Sequence, residues 1–322
     1  MSDSSALPVL RAGNGEVELA FLPTVGGRLI SLRAGGVELL WRNPEYLDDE
    51  LGTVLPRDRW APLDGTMGSW ANLGGSKTWP APQGWSGEDE WPGPPDPVID
   101  SGDWSADVER APDGATVVTL TSPDDPWTGL RVERRFEIPA SGTTFTQRIT
   151  FRCVADRTVR WSPWEVCQLD TAVFAGDPEG HGAADGGVRV GVTGAHEPLA
   201  LVRLDGEIAV DPPSGGRRRV RVDDVVAKVG FTDADGTFEV RRPDGAGLRW
   251  SYAVDPDGAY PDGGCAAEIW MQYPTGAPVP GGLWPTARLL EIEALGPLTT
   301  LEPGQQVELE IAWVAWGPEV RR

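Results

Sequence analysis

The chain has 322 residues, with 49 Asp and Glu against 28 Lys and Arg, for a formal charge of -21. A field of that sign repels nucleic acid and anionic membranes, and two histidines are too few for a three-histidine metal centre. No apolar run reaches the roughly 18 residues that a spanning helix needs, so no membrane partner is expected.

Met1 to Val9 carries neither the basic nor the apolar segment of an export signal, so the expected location is the cytoplasm. Val17 to Leu22 is a short apolar-rich strand. Arg28 to Leu32 and Val37 to Trp41 flank a turn ending in Gly35-Gly36, which predicts a hairpin. Asn43 to Leu51 predicts one short helix, with Asn43 as cap and Pro44 in the first turn.

The stretch from Pro56 to Trp104 has no lasting period of 2 or 3.6, and it holds six tryptophans among many Gly and Pro. Disordered segments are poor in aromatics, so the expectation is an ordered loop region packed over a sheet. Alternation returns at Ala115 to Ser122, then at Leu130, Val132, Arg134, Phe136 and Ile138, and again from Phe145 to Cys153. This is the pattern of antiparallel strands with one buried face. Val159 to Gln168 is a further strand, with Pro163 marking a break or an edge. Asp177 to Gly187 reads as loop. Shorter strands follow at 188–192, 199–204, 225–231, 237–241, 248–254, 266–272 and 287–295, and the last long strand is Gln306 to Trp316. The basic run Arg217 to Arg221 reads as an exposed strand start. Cys153, Cys167 and Cys265 match no zinc pattern and no disulfide framework. Many strands, almost no helix signal and turns between them predict an all-β sandwich or barrel. No linker divides it, so residues 1–322 are expected to form one domain carrying the loop region at 56–104.

Three segments resemble a known family. Val25-Gly26-Gly27-Arg28-Leu29-Ile30-Ser31-Leu32, with the strand ending at Trp41, looks like the first hairpin of galactose-mutarotase-like (aldose 1-epimerase-like) proteins. The segment from Asn72-Leu73-Gly74-Gly75-Ser76-Lys77-Thr78-Trp79 to Gln83 resembles a poorly characterised bacterial branch of that superfamily, a domain of unknown function. Leu290 to Pro297, followed by Leu301-Glu302-Pro303-Gly304, looks like the same branch. The resemblance implies a supersandwich of two large antiparallel sheets that binds sugar on a concave sheet face, with no cofactor and no metal. The classical members use a His and a Glu. Neither His181 nor His196 lies in such a histidine motif here.

The candidate residues are charges set among apolar or aromatic neighbours. Lys77 lies in the segment with the strongest resemblance and lacks the spacing of a phosphate-binding loop. Glu165 sits between Trp164 and Val166, where desolvation would raise its pKa. Glu268 alternates with Trp270 and Gln272, a carboxylate, an indole and an amide suited to sugar hydroxyls and a ring face. Glu291 and Glu293 share one strand face; two such carboxylates are ordinarily solvated, and Glu291 is assigned to the cavity. Indoles are rigid platforms for apolar sugar faces, and Trp79, Trp164 and Trp270 are assigned there, with Gln168 and Gln272 as polar partners.

The expected function is carbohydrate-active, on a sugar or sugar acid. In one reading Glu268 and Glu165 form an acid–base pair for epimerisation, oriented by Lys77. The alternatives are a non-catalytic sugar-binding protein, or a glycosidase or lyase relative. Lys77, Glu165 and Glu268 are expected to converge on one concave face under the tryptophan-rich loop.

Overall fold

The computed structural model describes residues 6–84, 87, 89–174, 187–280 and 282–318. In chain order the strands are β1 (Leu10–Gly13), β2 (Val17–Leu22), β3 (Arg28–Ala34), β4 (Val37–Glu38) and β5 (Ser76–Ala81). Next come β6 (Ser105–Arg110), β7 (Thr116–Thr121), β8 (Leu130–Ile138), β9 (Thr144–Cys153) and β10 (Val159–Asp170). They are followed by β11 (Gly187–Val192), β12 (Leu199–Asp205), β13 (Arg217–Val220), β14 (Val226–Phe231) and β15 (Ala234–Arg241). The last are β16 (Gly247–Tyr252), β17 (Ala267–Gln272), β18 (Leu289–Leu295), β19 (Thr299–Leu301) and β20 (Gln306–Trp316).

These strands form two large antiparallel sheets. One has eleven strands, in the order β1-β2-β3-β5-β10-β18-β17-β14-β12, with β4 and β19 attached at β3 and β10. The other has nine, in the order β13-β11-β15-β16-β20-β9-β8-β7-β6. Among the described residues the only helical elements are three short 3-10 turns. The alternating residues of β8, β9 and β20 supply one wall of the core: Val132, Phe136, Phe145, Ile149, Phe151 and Trp313 are all buried. The β3–β4 hairpin turns on Gly35 and Gly36, whose φ values of 57° and 80° are the left-handed pair that a two-residue hairpin needs.

Two local expectations differ from what is found. Asn43 to Leu51 is not a helix. Asn43 caps one turn through its side chain to the Glu45 amide, and Leu51 then takes a positive φ of 69° that ends helical geometry. Pro163 neither breaks nor edges its strand: β10 runs twelve residues through the middle of the larger sheet. Pro163 lies opposite Pro80 of β5, and its carbonyl points the other way, to the Gly296 amide. Neither proline is therefore asked to donate across that pair.

The expected loop region at 56–104 contains a strand at the heart of the sheet. β5 is buried along all six residues, so it shows no alternation of polar and apolar side chains, and periodicity gave no sign of it. β1 and the wholly exposed β6 were likewise outside the sequence expectation.

An ion pair spans the interior between the sheets. Arg134 of β8 reaches across to Glu165 of β10 at 2.6 Å, and both side chains are fully buried. The same guanidinium donates to the Gly27 and Ser76 carbonyls and to Ser76 Oγ. Ser76 and Thr78 hydroxyls complete the shell of Glu165 by close hydrogen bonds. Removing one member of such a pair leaves an uncompensated buried charge, at a cost of about 3–5 kcal/mol. Arg134→Met should therefore lower unfolding free energy by about that amount, whereas Arg134→Met with Glu165→Leu should recover much of it. Urea denaturation of the two variants checks this, and equal destabilisation by both would contradict it.

Candidate functional site

Alternation along five neighbouring strands assembles the site. On β10, Glu165 and Cys167 point into the core, while Trp164, Val166 and Gln168 point to the outer face of the larger sheet. Register carries the same face sideways: Val166 lies opposite Lys77 of β5 and Glu293 of β18, and Gln168 lies opposite Glu291. Glu268 and Trp270 of β17 lie opposite Glu293 and Glu291, and Lys228 of β14 lies opposite Trp270. Residues from 77 to 293 are thus brought side by side.

They line a cleft of about 170 Å³. Its wall includes Trp79, Trp164, Gln168, Lys228, Trp270, Gln272, Glu291 and Glu293. Met67, Trp70, Gln83 and Pro94 of the tryptophan-rich region and Leu283 of a later loop close over it. A wider cleft of about 510 Å³, bordered by Leu40, Arg42, Phe174 and Arg242, lies elsewhere. Its wall carries no buried carboxylate, and Phe174 adjoins residues outside the described set. The smaller cleft is the better candidate because its charges are desolvated and convergent.

Two ammonium–carboxylate clusters form its floor. Lys77 Nζ lies 3.1 Å from Glu291 Oε1, which also accepts Gln168 Nε2 at 2.6 Å. The Lys77 ammonium rests on the faces of Trp79 and Trp70, 4.7 and 5.5 Å from their centroids. Lys228 Nζ contacts both Glu268 and Glu293, the latter at 2.9 Å, and lies 4.5 Å from the Trp164 centroid. Trp164 Nε1 donates to Glu293 at 2.7 Å. Among the described residues the Lys228 ammonium is the one cation that Glu268 touches. A third buried carboxylate, Asp100, ties the loop to the sheet by accepting Arg28, Trp70 Nε1 and Trp79 Nε1.

Burial pushes the Glu268 carboxyl well above its ordinary value; Lys228 opposes this, while Glu293 and Asp262 add to it. Glu293 is raised for the same first reason, with Lys228 again opposing and Glu291 adding. Burial alone would lower Lys228, but Glu268, Glu293 and Asp262 outweigh it and raise the ammonium. Lys77 is lowered by burial, against the pull of Glu291 and with a push from Arg28. Two carboxyl groups sharing one ammonium in a dry site thus tend to hold a proton between them.

Glu165 does not join the convergence proposed for it with Lys77 and Glu268. It occupies the opposite face of β10, bound to Arg134, because one residue of offset from Trp164 reverses the side-chain direction. Lys77 and Glu268 reach the correct face but lie fully buried behind the wall, touching it through Glu291 and Lys228. Lys228, Glu293, Asp100 and Trp70 were not assigned from sequence. The signal for Lys228 was present: it is a charge inside the strand Val-Ala-Lys-Val-Gly-Phe. His196 is exposed in the loop before β12, where its ring meets Thr232 at the end of β14, and it does not line the cleft; His181 lies outside the described residues. Among the described residues no group of three or more His, Cys, Asp or Glu is arranged to hold a metal ion. No described helix is long and apolar enough to cross a membrane.

No family model matches the sequence, and no curated protein matches it. Solved structures do match in fold. Slr1438 from Synechocystis sp. PCC 6803 superposes with a TM-score of 0.59 at 11% identity, over 96% of each chain. A galactose mutarotase-like protein from Lactobacillus casei ATCC 334 gives 0.54 at 12% identity, over 96% of this chain and 100% of the other. A TPR-domain containing protein from Parabacteroides distasonis ATCC 8503 gives 0.58 at 14% identity over 97% of this chain, which spans about half (48%) of that protein's length. At these identities the likeness is one of fold, and it extends to galactose-mutarotase-like proteins.

The carboxyl cluster gives stability a pH dependence. Glu268 has a folded pKa above its ordinary 4.5, so the folded state keeps a proton that the unfolded chain has released. Its stabilising contribution is full below that ordinary value and is lost as pH rises through the higher folded one. Through the range above the ordinary carboxylate value, as pH rises, the wild type should lose more stability than Glu268→Gln, which keeps the raised Glu293 and lacks only the Glu268 contribution. Parallel urea midpoints across that range would refute the assignment.

Proposed function

We propose that the chain is a carbohydrate-active protein that holds one monosaccharide in the tryptophan cleft and interconverts its anomers by acid–base chemistry. The observation that carries this is the cleft itself: four indoles, Trp70, Trp79, Trp164 and Trp270, surround two facing carboxyl groups, Glu291 and Glu293. Indoles cover the apolar face of a sugar ring, and carboxyl groups take its hydroxyls. A cleft of about 170 Å³ is below the roughly 300–1,000 Å³ of sites for drug-sized ligands and suits a single ring. The fold likeness to a galactose mutarotase-like protein supports the same class.

In this reading Glu293, whose carboxyl is raised by burial, is the acid, and Glu291, held by Lys77 and Gln168, is the base. Glu291 takes the proton of the anomeric hydroxyl as the bond from the anomeric carbon to the ring oxygen breaks. Glu293 gives its proton to that ring oxygen, and the open-chain aldehyde results. Rotation about the bond next to the aldehyde, followed by the reverse transfers, closes the other anomer and restores both carboxyl groups. Lys228 lies against Glu293 and offsets the negative charge that appears there. Positioned carboxyl groups of separated proton affinity contribute roughly 100-fold to 10,000-fold in such reactions.

A second reading, sugar binding without turnover, draws on the fact that every charge in the cleft already has a protein partner. Mutarotation of freshly dissolved α-anomers, followed by polarimetry or NMR, separates the two. Acceleration by the wild type, lost by about 100-fold or more in Glu293→Gln while sugar affinity changes little, is the expected outcome. Sugar binding with no acceleration would leave the binding reading standing and remove the catalytic one.

A further inference from the structure

The cleft's hydrogen-bonding groups are unevenly used. Among the described residues, each donor group facing it makes at least one contact within the protein. Trp70 and Trp79 Nε1 donate to Asp100, Trp164 Nε1 to Glu293, and Trp270 Nε1 to Gln272 Oε1 at 3.2 Å. The Gln168 and Gln83 amides donate to Glu291 and to the Gly93 carbonyl. The Lys77 and Lys228 ammonium groups rest on their carboxylates.

What is left over is an acceptor. Gln168 is 1% exposed, yet its Oε1 has no donor. The amide cannot be turned round to cure this, because its nitrogen is the atom that meets Glu291. Glu291 and Glu293 present carboxyl groups to the same space.

The charge count points the same way. Arg28, Lys77 and Lys228 are three cations, and Asp100, Asp262, Glu268, Glu291 and Glu293 are five carboxyl groups. Positive charge is thus in deficit among the described residues of the cluster, and a proton and a ligand cation together can supply it. A phosphate or carboxylate ligand would face two carboxyl groups, which is costly in a desolvated site.

We infer that the ligand of this cleft is an amino sugar, a monosaccharide whose protonated amine is taken by Gln168 Oε1 and the Glu291 and Glu293 carboxyl groups. This inference rests on the sugar-cleft reading and specifies its substrate class. The ammonium adds its charge to the proton that the carboxyl groups hold, and the remaining hydroxyls and ring face meet the indole walls.

Isothermal titration of the unmodified protein with a small panel tests it: glucosamine and galactosamine, the parent glucose and galactose, N-acetylglucosamine, glucose 6-phosphate and glucuronate. An amino sugar should bind at least about tenfold more tightly than its parent hexose. N-acetylation, which removes the charge, should cancel that gain, and the two anionic sugars should bind worst. In Glu293→Gln, with one carboxyl group fewer at the amine, the preference for the amine should shrink to about twofold or less. Equal affinity for amino and parent sugars, or tighter binding of the phosphate or uronate, would overturn the amino-sugar inference while leaving the sugar cleft intact. Undiminished preference in Glu293→Gln would overturn the placement of the amine. Absence of binding by every sugar would overturn the sugar cleft and this inference with it.

Discussion

The buried pair of Arg134 and Glu165 is the constraint on which the site depends. Two charges with no solvent exposure are tolerable only when they are paired and hydrogen-bonded, and here Ser76, Thr78 and the Gly27 and Ser76 carbonyls supply most of those bonds. Completing that shell fixes β5 in register between β3 and β10. The registration of β5 in turn places Lys77 and Trp79 on the opposite face, beneath the cleft. The pair does no chemistry at the cleft, yet it positions the groups that could.

The central strand β10 divides its labour by parity. Its odd positions Glu165 and Cys167 belong to the core, and its even positions Trp164 and Gln168 belong to the cleft. Both faces are buried, one by the second sheet and the other by indoles and the loop region. A carboxylate on either face is therefore desolvated, and desolvation alone does not distinguish a structural acid from a reactive one. Partners make the distinction. Glu165 is saturated by a guanidinium and two hydroxyls. Glu268 and Glu293 share a single ammonium, that of Lys228.

The cleft also shows how a mutarotase-like fold can carry a different set of polar groups. Similarity to solved structures at 11–14% identity establishes architecture over nearly the whole chain and leaves the reactive groups to be read from this molecule. The groups that line the cleft here are lysines and carboxylates laid across adjacent strands, capped by tryptophans that a loop carboxylate, Asp100, holds by their N–H groups.

Much of the architecture was legible in the sequence. Strands with one buried face, such as β8, β9 and β20, announce themselves by period-2 alternation, and the glycine pair at 35–36 marks its hairpin. Glu268, a charge inside an apolar strand, was recognisable as a candidate because an unpaired charge there would be costly, and Lys77 by the resemblance of the segment that holds it. β5 was not legible, since a strand buried on both faces has no alternation to read. The order of strands across the sheet was not legible either. Lys77, Lys228, Glu268 and Glu293 come from four strands whose adjacency is decided by long-range pairing, and no local pattern records which strands will be neighbours. The sequence by itself determined an all-β chain with buried charges that require partners. Only the tertiary structure decided which charges meet, because side-chain direction reverses at every residue and register is set across strands far apart in the chain.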